Sequence, residues 1–174
     1  MRKYILVCLL FVTALPLVRS QTLKKYPIDK SGCSAYFFCD PGKFDLETSP
    51  DSSKVYTGEC KQDGVIYDII CVRMKDRIKE LNAAEEVLLQ YLDYLKSNFQ
   101  ITGSTGYGKG HKLRGREDTR GIIDYWTDKD KNNIRVKGWT DGQFIAVLIV
   151  ISPTALQDTK ANLYLDGIVF PTSK

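Results

Sequence analysis

Phe144-Ile145-Ala146-Val147-Leu148-Ile149-Val150-Ile151 is apolar at every position. A strand with one wet face alternates polar and apolar residues, so an unbroken apolar run of strand length predicts a central strand covered on both faces. Upstream, residues 121–127 and 134–140 read as two more strands, joined by Asp128-Lys129-Asp130-Lys131-Asn132, and Asp141-Gly142 marks a tight reversal into the apolar run. Arg135 and Lys137 alternate with Ile134 and Val136, which gives that strand one wet face. The three strands form an antiparallel meander. Downstream, Ser152-Pro153 has the residues of a helix start, a capping hydroxyl and a proline in the first turn. A short helix carrying Ala155, Leu156, Leu163 and Tyr164 then stops at Asp166-Gly167, ahead of a last strand over 168–170.

Further upstream the period is that of a helix. Over residues 80–99, Leu81, Ala84, Leu88, Tyr91, Leu92, Leu95 and Phe99 fall on one face, while Glu85, Glu86, Asp93 and Lys96 fall mostly off it. Such a helix must cover a sheet. Residues 54–60 and 65–74 make a hairpin whose connection, Lys61-Gln62-Asp63-Gly64, ends in a pair that favours a tight reversal. Residues 34–39 read as a strand stopped by Asp40-Pro41-Gly42, with 43–47 a short edge segment. Residues 112–116 read as another edge strand, and 21–32 as an N-terminal leader.

The chain opens with Arg2 and Lys3, continues with an apolar run over 4–18, and reaches Val18-Arg19-Ser20, the three regions of a secretory signal cleaved after Ser20. The run is too short, and too interrupted by Thr13 and Pro16, for a typical spanning helix. Residues 1–20 are therefore expected to be a signal peptide, 21–32 a leader and 33–174 a single domain, exported to a periplasm or beyond the cell. No transmembrane segment is expected in the mature chain. Losing Arg2, Lys3 and Arg19, with no acid among residues 1–20, lowers the formal charge from +4 to +1. Nothing in that balance suggests a nucleic-acid partner.

Four cysteines remain after the signal: Cys33, Cys39, Cys60 and Cys71. An even count in an exported chain favours disulfides. Zinc sites draw on closely spaced Cys or His pairs, which this spacing and the single histidine, His111, do not supply. If the first strand lies antiparallel to 54–60, Cys33 falls near Cys60, and by elimination Cys39 joins Cys71.

The segment Tyr36-Phe37-Phe38-Cys39-Asp40-Pro41-Gly42-Lys43 and the strand Val55-Tyr56-Thr57-Gly58-Glu59 belong to a wider pattern. With the long helix, Lys112-Leu113-Arg114-Gly115 and the ending Leu163-Tyr164-Leu165-Asp166-Gly167-Ile168-Val169-Phe170, the order of elements resembles the PsbP-like domain superfamily over about residues 33–170. The resemblance implies an α+β fold, an antiparallel sheet flanked by helices in an α/β/α sandwich, and a mostly non-enzymatic binding or accessory role. None of the family's metal- or partner-binding positions is matched here.

Several residues carry candidate chemistry. Residues 103–110 spell a phosphate-binding loop up to its last position, where Gly110 replaces the Ser or Thr that holds magnesium, and no amphipathic helix follows. A surface loop is the better reading. Tyr107, Lys109, His111, Lys112 and Arg114, with Arg116 and Arg120, offer a basic segment for an acidic partner, diluted by Glu117 and Asp118. Trp126 and Trp139 sit on neighbouring strands; facing the same way they would make an aromatic platform, although core packing is favoured. The sequence thus supports a non-catalytic extracytoplasmic domain binding a protein or small ligand, with no cofactor. The alternatives are a small hydrolase relying on His111 or a carboxylate pair such as Glu85/Glu86, Asp128/Asp130 or Asp124, and a self-associating envelope structural protein.

Overall fold

The structure, a computed structural model, describes residues 22–106, 108–154 and 157–171. The expected signal over 1–20 lies outside them. The chain begins with β1 (Lys24–Pro27), β2 (Ser34–Phe37) and β3 (Asp45–Thr48), followed by the long hairpin β4 (Lys54–Gln62) and β5 (Val65–Arg73). Asp63 and Gly64 both take positive φ, 53° and 78°, which is the backbone of the tight two-residue reversal their identities favour. Next come α1 (Leu81–Asn98), the short strands β6 (Ile101–Ser104) and β7 (Gly108–His111), and the meander β8 (Arg120–Asp128), β9 (Asn133–Thr140) and β10 (Phe144–Ser152). The chain closes with α2 (Asp158–Leu165) and β11 (Ile168–Val169).

Eight strands form one antiparallel sheet in the order β3-β4-β5-β10-β9-β8-β6, with β7 also paired to β8. The apolar run is its central strand. Ala146, Leu148 and Val150 enter one core cluster, and Ile145, Val147 and Ile149 the other, so β10 is dry on both sides. Burying each of these larger side chains contributes roughly 1.5–3 kcal/mol. Ala84, Leu88, Leu92 and Leu95 of α1 are buried at helical spacing, and the three leucines belong to the second cluster. Gly138 of β9 lets α1 approach, since a Cβ there would lie 2.7 Å from the Leu88 side chain.

The α/β/α sandwich is not what forms. The fold is mostly β, with two α-helices among the described residues, and the second face is covered chiefly by another sheet rather than by helices. That small antiparallel sheet has the order β1-β2-β11. The physical reason lies in which segments pair: residues 24–27, within the stretch read as a leader, pair with β2, and the last strand pairs with the other side of β2. These three segments satisfy one another and stack on the large sheet instead of extending it. With eight residues, α2 is too short to cover that face alone. Tyr164 of α2 joins the layers, its ring 5.2 Å from Phe37 and 5.1 Å from Tyr67, its hydroxyl donating to the Asp68 carbonyl at 2.8 Å.

Smaller expectations also change. Ser152 remains in β10 and its hydroxyl contacts Thr154, so α2 starts later, after Gln157. Residues 113–115 form a 3-10 turn with Arg114 at φ 50°, not an edge strand. The glycine-rich stretch contributes β6 and β7, which line the β8 edge.

The disulfide pairing is corrected as well. Cys39 is bonded to Cys60, with Cα atoms 5.8 Å apart, while Cys33 and Cys71 are buried free thiols. The expected Cys33–Cys60 and Cys39–Cys71 bridges assumed β2 beside β4 in one sheet and antiparallel to it. Instead β2 crosses the face of the large sheet in the sense of β4, which brings its far end, not its start, to Cys60. Cys39–Cys60 closes a loop of about 20 residues and is worth about 3 kcal/mol through the unfolded state. The double variant C39A/C60A should therefore show a urea midpoint lower by that amount divided by the m-value.

Candidate ligand-binding cleft

The basic segment singled out in the sequence is largely self-neutralised. Lys109 pairs with Glu86 at 2.7 Å, Lys112 with Glu117 at 2.6 Å and Arg116 with Asp118 at 2.6 Å. Arg114 lies over the Tyr36 ring, 5.5 Å from its centroid. His111 ends β7 opposite Gly121, and among the described residues no hydrogen bond joins it to a serine, threonine or carboxylate. Tyr107 lies outside the described residues. The other carboxylates named as possible acid–base partners hold the fold: Glu85 accepts the Gly110 N–H, and Asp128 accepts from Asp130 and Asn132 in the β8–β9 turn.

The tryptophans do not share a face. Trp126 packs under α1, whereas Trp139 packs toward the small sheet and donates its Nε1–H to the Leu165 carbonyl at 2.8 Å. Gly121 makes room for Trp139, since a Cβ there would lie 2.2 Å from the indole ring. Both side chains are almost wholly buried, so the aromatic platform is absent.

Asp124, the last of the carboxylates named for the hydrolase alternative, is buried beneath α1. It accepts from Ser104 Oγ, Trp126 Nε1 and the Gly106 N–H, each at 2.7 Å, and pairs with Lys96 Nζ at 3.0 Å. Burial raises its pKa, but the hydrogen bonds from Ser104, Trp126, Lys96 and Gly106 outweigh that and hold it below the usual range. The glycine-rich stretch is thus anchored on two of the chain's own carboxylates, Asp124 and Glu85, through the amides of Gly106 and Gly110. Those two N–H groups are not offered to a phosphate.

A mostly apolar concavity lies elsewhere. α1 packs across β8 and β9 and touches β6, so the β4–β5 part of the same sheet face lies to its side. Between them is a cleft of about 340 Å³. Val55, Val72, Met74 and Ile145 form its floor, and Val87, Tyr91 and Tyr94 of α1 its wall. The two tyrosine rings stack 6.0 Å apart at 27°, and Tyr94 is 59% exposed. Burial, with Tyr94 beside it, pushes the Tyr91 phenol up to about 12. The sequence signal was present: Val87, Tyr91 and Tyr94 repeat at i, i+4 and i+7, a second apolar stripe beside the core stripe of α1.

The rim is polar and preset. Ser49 accepts the Ser52 N–H through its carbonyl at 2.8 Å, closing a tight turn, and the Ser53 hydroxyl accepts the Lys75 N–H at 3.2 Å, tying the turn to the chain after β5. Within it the Asp51 carboxylate accepts from the hydroxyls of Ser49 and Ser53 and from the Ser53 N–H. Those bonds lower its pKa to about 2, so a full negative charge stands at the mouth at any physiological pH.

Farther along the same bare face, Glu59 of β4 stands directly opposite Asp68 of β5. Burial, then the Glu59 charge, raises the Asp68 carboxyl to about 7, against a weaker bond from the Ile69 N–H. A second cleft, about 410 Å³, carries Lys30, Arg73 and Arg77, which are exposed cations on an open surface, Arg77 donating to the Asp141 carbonyl. The tyrosine-walled cleft combines an apolar floor with a fixed, ionised polar group at its mouth. Comparison with protein-family models, with curated proteins and with solved structures returns no match.

Proposed function

We propose that this protein is a non-catalytic extracytoplasmic binding domain, and that its ligand is a small molecule with an apolar body and a protonated amine, held in the cleft between α1 and β4–β5. The observation that carries the reading is the uncovered sheet face. Ligand pockets are typically concave and mostly apolar, with a few placed polar groups, and span about 300–1,000 Å³. Here the floor takes the apolar body, the tyrosine faces attract a cation through their ring quadrupoles, and the ionised Asp51 completes the charge match. The expected export signal supports the extracytoplasmic part.

The test compares phenethylammonium with its neutral isostere phenethyl alcohol by isothermal titration calorimetry. The amine should bind at least tenfold more tightly, D51N should remove most of that preference, and Y94A should weaken both ligands. Equal affinity of the two for the unaltered protein refutes the role given to Asp51. Absence of binding by both refutes the site.

A further inference from the structure

We propose that Cys33 and Cys71 become a second covalent tie between the two sheets when the chain folds in an oxidising compartment. Both residues lie in the core cluster that the sheets share, 2% and 0% exposed. Cys33 immediately precedes β2, and Cys71 lies in β5, opposite Tyr56 on one side and Ala146 on the other. Within that shared cluster the two side chains lie close enough to interact with each other. At its other end β2 is already fastened to the large sheet by Cys39–Cys60. The four cysteines therefore fall into two facing pairs that bracket one strand, each pair holding one residue in each layer.

The chemistry is thiol–disulfide exchange with a low-molecular-weight disulfide such as oxidised glutathione. One cysteine loses its proton and attacks the small disulfide, which releases one small thiol and leaves a mixed disulfide. The other cysteine, deprotonated in turn, displaces the second small thiol. Two protein thiols and one small disulfide thus become one protein disulfide and two small thiols. The thiolate is the attacking species. Interaction with Cys33 and burial push the Cys71 thiol well up, so exchange inside the finished core is slow and the tie closes while the sheets dock.

Two predictions test this. Full-length protein is refolded from denaturant in a reduced/oxidised glutathione couple, denatured, alkylated without reduction and digested. The peptide containing Cys33 should be joined to the one containing Cys71, with neither residue alkylated. Recovery of both as alkylated thiols, or a link from either to Cys39 or Cys60, overturns the proposal. The same preparation should melt about 5–15 °C above C33A/C71A, a gap that closes when both are reduced. A gap that persists unchanged after reduction reports only lost packing and counts equally against the proposal.

Discussion

Replacing Asp124 by alanine should cost about 2–3 kcal/mol of stability, the upper part of the range for leaving buried hydrogen-bonding groups unsatisfied. The variant would leave Lys96 without its buried partner and Trp126 Nε1 without an acceptor, and would free the Ser104 hydroxyl and the Gly106 amide that fold the glycine-rich stretch against β8. All four contacts converge on one carboxylate, so the loss exceeds that of an ordinary hydrogen bond, about 1 kcal/mol. Urea unfolding followed by tryptophan fluorescence reads it directly. D124N should fall between wild type and alanine, because an amide keeps one acceptor and loses the charge opposite Lys96. A loss below 1 kcal/mol for D124A would show that the network is replaceable by water.

Asp68 works in the opposite direction, and replacing it by asparagine should stabilise the protein at pH 8 by up to about 4 kcal/mol. Its folded pKa, about 7, stands above the ordinary value of 3.8. The native state therefore holds a proton that the unfolded chain has released between those two values, and stability contributed by the neutral form is complete below pH 3.8 and lost as pH rises through 7. Asparagine keeps the shape without the ionisation, and its amide can donate to Glu59 across the strand pair. Wild type and D68N should accordingly unfold at similar urea concentrations at pH 4 and diverge up to about pH 8. Equal midpoints at both pH values would mean that Asp68 ionises as it would in water. Asp124 shapes the acid side of the same curve, since its lowered pKa stabilises the fold above the ordinary carboxylate range and is lost as pH falls through its folded value.

The main sheet was legible because its signals are local. An unbroken apolar run, a pair of turn residues and a change to helical period mark β10, the β4–β5 reversal and α1, and each sits where those patterns put it. What the pattern does not carry is the partner of a short strand. β2 alternates half-buried and buried positions as a strand of either sheet would, so its period says nothing about whether it pairs with β4 or stacks above it. That ambiguity produced the wrong disulfides; the wrong architecture came with the family resemblance, whose flanking helices do not form.

Two site features were closer to the surface of the sequence. Trp139 is an odd number of residues from Ile134 and Val136, so period-2 alternation already puts it on the face opposite theirs. Ile122, Asp124 and Trp126 share a parity, which places a carboxylate in a core-facing row. The cleft was harder to find. Its wall is an amphipathic stripe on α1, but its existence depends on where that helix lies across the sheet, which is set by packing between residues far apart in the chain.

The most direct measurement of the ligand site is a set of intermolecular nuclear Overhauser effects between bound phenethylammonium and the protein. The account predicts contacts from the ligand ring to the Val55 and Val72 methyls and to the Tyr91 and Tyr94 ring protons. Contacts confined to Tyr67 and Val150 on the opposite face of the sheet would contradict it.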